Sequence, residues 1–277
     1  MKYFDAHSHY ASYERRYKDM PKLFAEMQRG GVAYVVDCFG TGSKGLDIGL
    51  SLAKKYDFFY ICINDFGHYG DADMRDTALA ARLIDESVER MKKLCAQNKK
   101  IVAYGECYMD FRKHEKTADS IAEQTAYLKA DFEIAKRVGL PVVIHSGNAD
   151  QEAFDVIKDI EMPDYGFGKG MMHCYLGPPQ MALDYIDMGY LISVTGLVTH
   201  RSARGKNLVE VVKTVPLSHM IIETDCPYLT PEPFRDRRND SSLLRLTVEA
   251  IAELKNISPE EVAETTTSNA KALYRIS

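Results

Sequence analysis

Eight histidines punctuate the chain, and four of them stand where they can act together with carboxylates. His7 and His9 are two residues apart at the end of a β-rich run, residues 3–9. On a strand, that spacing points both imidazoles to one face, so both can reach one ion. Glu106 stands near the end of the run 101–109, His145 at the end of 142–146, His173 near the end of 170–175 and Asp225 at the end of 220–225. A carboxylate in an apolar strand is costly without a partner, and metal coordination removes that cost. Four imidazoles and two carboxylates suit Zn, Mn, Fe or Co better than Ca or Mg. Six donors are too many for one tetrahedral zinc that also keeps an open position. The set predicts a pair of divalent ions bridged by Glu106, with His7, His9 and Asp225 on one ion and His145 and His173 on the other. His114, His200 and His219 fall outside strand ends and read as loop or surface residues, while His68, just past the third strand, is open to either reading.

These donors need elements that bring them to one place. Short β-rich runs alternate with longer amphipathic stretches along the whole chain. Strands are predicted at 3–9, 32–39, 58–64, 101–109, 142–146, 170–175, 190–194 and 220–225, with helices between them. The helix over 74–97 places Leu79, Leu83, Val88, Met91 and Leu94 near helical spacing. A helix over 120–138 stops at Gly139 with Pro141 beyond, and the last helix starts at Ser258, where Pro259 and Glu261 complete an N-cap box. Continuous apolar strands such as Val142-Val143-Ile144 suit a parallel sheet covered on both faces. Eight strand–helix units favour a single α/β domain over 1–277, a closed (β/α)8 TIM-type barrel with its metal site at the C-terminal face. A doubly wound open sheet is the runner-up.

Composition excludes some partners. The 277 residues carry a formal net charge of -5, with a sequence pI near 5.9. A nucleic-acid coat or a membrane binder is usually basic, so a phosphate-bearing substrate must meet a local cation or a metal. The six cysteines form no CxxC pair and read mostly as small buried hydrophobes of a reducing compartment. No apolar h-region opens the chain and no apolar run is long enough to span a bilayer, so the cytosol is the expected location. No protein partner is inferable.

Five segments carry a resemblance: Phe4-Asp5-Ala6-His7-Ser8-His9, Gly105 to Asp110, Pro141 to Ser146, Met172 to Tyr175 and Glu223-Thr224-Asp225-Cys226-Pro227-Tyr228-Leu229. Their order resembles the TatD family of metal-dependent deoxyribonucleases, a branch of the amidohydrolase-like barrels. The likeness runs from Asp5 to about Tyr274, and the Glu-Thr-Asp-Cys-Pro-Tyr-Leu run is its most specific part. It implies a TIM-type barrel, a pair of divalent ions (Zn, Mn or Mg), hydrolysis of phosphodiester bonds, and ligand roles for His7, His9, Glu106, His145, His173 and Asp225. The chain departs from the family pattern at Tyr10-Ala11, at Ile63 to His68 and at Gly147-Asn148-Ala149. These departures surround the metal set, leave it whole and bear on the substrate.

The expected mechanism is attack by a metal-activated water whose pKa falls from about 15.7 towards about 7, with Glu106 and Asp225 as the catalytic carboxylates and Asp225 taking the proton. Strand-end cations that suit a phosphate are Arg112, Lys113, Arg201, Arg204, Arg235, Arg237 and Arg238, and Tyr10, Phe111, Tyr175 and Tyr228 are candidates for stacking bases near the mouth, with ordinary packing around the rim expected for at least half of them. The expected substrate is single-stranded or end-frayed DNA. The alternative is a small-molecule amide, ester, lactone or phosphoester. Barrels with that chemistry often bridge their ions with a carboxylated lysine, and Glu106 takes that strand end here. A non-enzymatic metal-binding protein is the remaining rival, against which the intact ligand set argues.

Overall fold

The computed structural model describes residues 1–13, 17 and 19–277. Eight strands form one parallel sheet in chain order: β1 Tyr3–Ser8, β2 Val32–Gly40, β3 Phe59–Asn64, β4 Ile101–Asp110, β5 Val142–Gly147, β6 Gly170–His173, β7 Tyr190–Val194 and β8 Met220–Ile222. Between and after them come α1 Met20–Arg29, α2 Gly45–Lys55, α3 Phe66–Tyr69, α4 Thr77–Gln97, α5 Ala118–Val138, α6 Asp150–Ile157, α7 Pro179–Asp187, α8 Ala203–Thr214, α9 Leu244–Lys255 and α10 Pro259–Leu273. The ring closes between its ends. Ser8 bridges Cys226, the His9 N–H donates to the Cys226 carbonyl at 3.0 Å, and the Asp225 N–H donates to the His7 carbonyl at 3.0 Å. The expected barrel is therefore present, and the open sheet is not.

Helix ends follow their local chemistry. Asp76 caps α4 through the N–H groups of Ala78 and Leu79, and Ser258 caps α10 through the Glu261 N–H. Gly139 ends α5 in the left-handed conformation, with φ 77°. Four strands are shorter than expected: β1 stops at Ser8, so His9 stands just beyond it, β3 starts at Phe59, β6 stops at His173, and β8 stops at Ile222, so Asp225 stands in the loop three residues beyond its strand. The helix expected over 74–97 starts at Thr77, and the short α3 was not anticipated.

Apolar side chains divide into two clusters. The larger lies between the strands and the outer helices. The smaller, containing Phe4, Ala6, Val36, Cys38, Cys62, Ala103, Val143, Met171, Leu191 and Ile221, fills the barrel. Tyr274, just after α10, is buried with it, and its hydroxyl donates to the Ala6 carbonyl at 2.9 Å. The barrel is thus a packed core from its N-terminal end upward, and only its C-terminal end is left for polar side chains.

Candidate metal centre

Strand periodicity alone aims His145 and His173 inward. They follow Val143 and Met171, which belong to the barrel filling, by two residues. His7 and Glu106 need more. Phe4, Ala6 and Ala103 already face the barrel interior, so strict alternation turns His7 and Glu106 outward. The β1–β2 ladder shifts register between Asp5 and Ser8, and the β4–β5 ladder shifts between Gly105 and Cys107. Each irregularity re-aims the strand, as bulges do beside functional sites. Gly105 serves the second one: a Cβ there would lie 2.6 Å from the Val143 carbonyl oxygen, and its φ is 155°.

The six expected donors come together. His7 Nε2 and His9 Nε2 are 3.1 Å apart. Glu106 Oε1 lies 3.4 Å from the first and 3.3 Å from the second, while its other oxygen lies 3.7 Å from His145 Nδ1. Asp225 Oδ1 is 3.2 Å from His9 Nε2 and 3.9 Å from both His7 Nε2 and His173 Nε2. Three overlapping groups of donors result: His7, His9 and Glu106; His7, His173 and Asp225; Glu106, His145 and His173. Glu106 sits between the first and the third, one oxygen towards each.

Every imidazole is held from behind. His7 Nδ1 lies 3.1 Å from Cys38 Sγ, and His9 Nδ1 lies 2.9 Å from the Cys38 carbonyl oxygen. His173 Nδ1 is 2.9 Å from Glu223 Oε1, which also accepts the Cys174 N–H at 2.6 Å. His145 Nε2 lies 3.3 Å from Asp110 Oδ2 and 2.8 Å from Arg112 Nη2, and Arg112 is itself bonded to Asp110. The Asn64 amide donates to the Glu106 carbonyl at 2.9 Å. One nitrogen of each ring thus has a polar neighbour behind it, which for His173 is an ion-pair contact and not a hydrogen bond, and the other nitrogen is turned into the cluster.

The electrostatics favour a cation at the centre. Burial opposes the charge on Glu106, yet His7, His9 and His173 overcome it and hold the carboxyl well below the usual range. Burial likewise opposes protonation of His9 and His173. Asp225 and Glu106 nonetheless raise His9 to about 10, and Glu223 and Asp225 raise His173 to about 9. His7, fully buried and beside His173, is pushed down. His145 Nδ1 is buried without a hydrogen-bond partner on the face turned to Glu106. An orphaned inner nitrogen, facing the Glu106 carboxylate and grouped with His173, fits the donor set of a divalent ion.

Sequence reasoning passed over Asp110, Cys38, Glu223 and Asn64. Asp110 and Glu223 stood inside the recognised runs and carry the strongest local signal, each being a carboxylate two or four residues from a donor. Of the other histidines, His68 pairs with Glu86 at 2.9 Å, away from the cluster. His200 is in a loop but not at the surface, since it is buried against the Thr230 carbonyl at 2.8 Å. Rim packing, expected for at least half of the four aromatic candidates, holds for three of them. Tyr10, Phe111 and Tyr175 are buried, Tyr10 bonded to Ser241 and Tyr175 to the Pro178 carbonyl, so all three pack the rim; Tyr228 is 42% exposed beside Tyr13. Of the seven strand-end cations, Arg235 and Arg237 are turned to Glu232 and Asp240, and Arg112 stands against the cluster.

Two hollows meet at Glu106. One of about 560 Å³ extends from Glu106 and His145 over Tyr108 to Arg112 and Lys113. The other, about 360 Å³, extends from Glu106 and His9 over Ser12, Gly40 and Asn64. A larger open hollow of about 1020 Å³ lies between the N-terminus and the end of α10, at the opposite end of the barrel, and none of the three donor groups borders it.

Comparison with known proteins agrees with this geometry. The family described as TatD related DNase matches residues 4–275. The chain is 32% identical over 273 residues to YabD of Bacillus subtilis, named an uncharacterized metal-dependent hydrolase, with 99% of each covered. It is 31% identical over 183 residues to a protein of Rahnella sp. named 3'-5' ssDNA/RNA exonuclease TatD, covering 64% of this chain and 66% of that one. The crystal structure of YJJV, a TatD homolog from Escherichia coli, superposes with a TM-score of 0.77 at 23% identity, over 99% of this chain and 98% of that chain. With a family match over nearly its full length and the same barrel in solved structures, this chain belongs to the TatD family.

Proposed function

We propose that this chain, a metal-dependent hydrolase of the TatD family, cleaves phosphodiester bonds at the end of single-stranded or frayed DNA. The observation that carries the reading is the donor cluster itself, with a hollow on each side of Glu106. A phosphodiester has a substituent on either side of the reacting phosphorus, and a two-sided site accommodates both. The Rahnella relative, named as an exonuclease on single strands, supports the same substrate class.

His7, His9, Glu106, His145, His173 and Asp225 would hold a pair of divalent ions. Bound there, such ions supply Lewis acidity towards a phosphoryl oxygen and bring the pKa of a water towards neutrality. The chain's own groups do the rest. Asp225 takes the proton of the attacking water through its carboxylate, which is held below its usual range against burial by His9 and His173. Its backbone is tied by the bond to His7, so the carboxylate has little freedom to leave the cluster. Cys38, Glu223 and Asp110 stand behind the imidazoles and hold their orientation. Arg112 stands at the edge of the cluster, where its guanidinium can meet a phosphate oxygen.

The test is degradation of end-labelled single-stranded DNA by metal-stripped protein reloaded with Mn, Mg or Zn, beside an ester and amide panel. Metal-dependent shortening from one end is expected, with Asp225→Asn slower by at least about a hundredfold, the lower range for loss of a positioned general base. DNA left intact while an ester or amide turns over would transfer the assignment to a small-molecule hydrolase.

A further inference from the structure

The aromatic groups expected at the mouth are packed away, yet the hollow beside the cluster has an aromatic wall of its own. Phe66 and Tyr108 are half-buried and line it edge-to-face, with ring centroids 5.1 Å apart and planes at 66°, so that one ring offers a face to a planar group and the other borders its edge. Phe66 packs in turn on Tyr127 at 5.3 Å, and the Tyr127 hydroxyl is fixed by the Ala72 carbonyl at 2.6 Å. The wall is therefore braced, and a planar group seated on it costs little ordering of the protein. Across the same hollow run Arg112, Lys113 and His114, all exposed. Lys113 and His114 have no ion-pair or hydrogen-bond partner among the described residues. Of the lining carboxylates, Asp110 is engaged by Arg112 and Glu106 belongs to the donor cluster, which leaves Glu123 as the single acidic counterweight.

An aromatic wall and a cationic edge, joined to a phosphate-handling centre, describe a receptor for a planar group that carries an anion. The volume of about 560 Å³ lies within the ordinary range for small-ligand sites. We infer that this hollow is a nucleotide subsite, in which Tyr108 and Phe66 take the base of the terminal nucleotide while Arg112 and Lys113 take its phosphate. The inference rests on the phosphodiester reading above and names the part of the substrate each wall recognises. Stacking is tolerant of base identity, since every base has a π-face, so the subsite selects for the presence of a base and not for its sequence. Tyr108 also lines the second hollow. It thus stands at the junction of the two, where the terminal unit is divided from the rest of the strand.

The experiment is calorimetric titration of the metal-loaded enzyme with thymidine monophosphate and, separately, with deoxyribose phosphate, which keeps the anion and lacks the base. Wild type is expected to bind the nucleotide about tenfold tighter, as one stacked base provides. Tyr108→Leu should erase most of that advantage without weakening deoxyribose phosphate, and Tyr108→Phe should retain it. Lys113→Ala, on an exposed loop, should weaken both ligands alike. Unchanged affinity for deoxyribose phosphate in Tyr108→Leu also reports an intact fold. Equal binding of the two ligands by wild type, or equal weakening of both by Tyr108→Leu, would overturn the subsite, as would binding of neither. These outcomes are read without turnover, so they stand apart from a failure of DNA cleavage.

Discussion

Glu223 is fully buried and reaches the donor cluster only through His173, whose Nδ1 it faces at 2.9 Å. A carboxylate behind an imidazole raises its basicity and locks its tautomer, and removing such a partner typically weakens metal binding about 10–100-fold. Glu223→Gln is therefore expected to lower metal affinity by that factor while the fold survives, because an amide of the same shape still accepts the Cys174 N–H. Competition with a chromophoric chelator measures it. Unaltered affinity would mean that Glu223 only fills space. Asp110 and Cys38 stand behind His145 and His7, so the inner donors depend on a set of outer groups that composition and spacing never singled out.

Among the elements, β1 and β4 decide whether the site exists. The convergence of His145 and His173 was legible because β5 and β6 keep a regular period of two, and both follow residues of the barrel filling. The inward aim of His7 and Glu106 was not derivable from alternation, which assigns them to the opposite face from Ala6 and Ala103. A register shift is a property of the ladder between two strands, and one strand's sequence does not display it. The recognised runs supplied those donors in place of geometry. Asp225 was misplaced for a related reason, since the apolar run of β8 continues into a loop that the bond to the His7 carbonyl holds against β1. Gly105→Ala tests the role of the second irregularity. Its Cβ would meet the Val143 carbonyl and its φ is unfavourable for a side chain, so a loss of more than about 1 kcal/mol is expected. Urea unfolding measures that loss, and metal binding should fall with it; a variant as stable as wild type with full metal affinity would show that the close approach is not required.

At the scale of the whole molecule, stability depends on buried ionisable groups as well as on the two apolar clusters. Asp131 on α5 lies under Tyr69, away from the donor cluster, and burial pushes its carboxyl up to about 7 despite the tyrosine hydroxyls. Below the ordinary value of 3.8 both folded and unfolded chains hold the proton, and the contribution is complete. As pH rises towards 7 the unfolded chain has lost that proton and the folded one retains it, so stability falls, by up to about 1.4 kcal/mol per pH unit for one group. Asp131→Asn should flatten this part of the profile, which urea unfolding of both proteins at intervals across that range would reveal. An unchanged slope would place the pH dependence elsewhere.

The proposal that ties these levels together is that six side chains, from the ends of four strands and from the loop after β8, hold a pair of divalent ions across Glu106. Metal analysis of chelator-stripped protein after reloading and dialysis tests it most directly, on wild type and Glu106→Gln in parallel. The account predicts two ions per chain for wild type, and for Glu106→Gln a loss of metal together with most of the activity. A single ion in wild type, or full occupancy with an undiminished rate in Glu106→Gln, would contradict it.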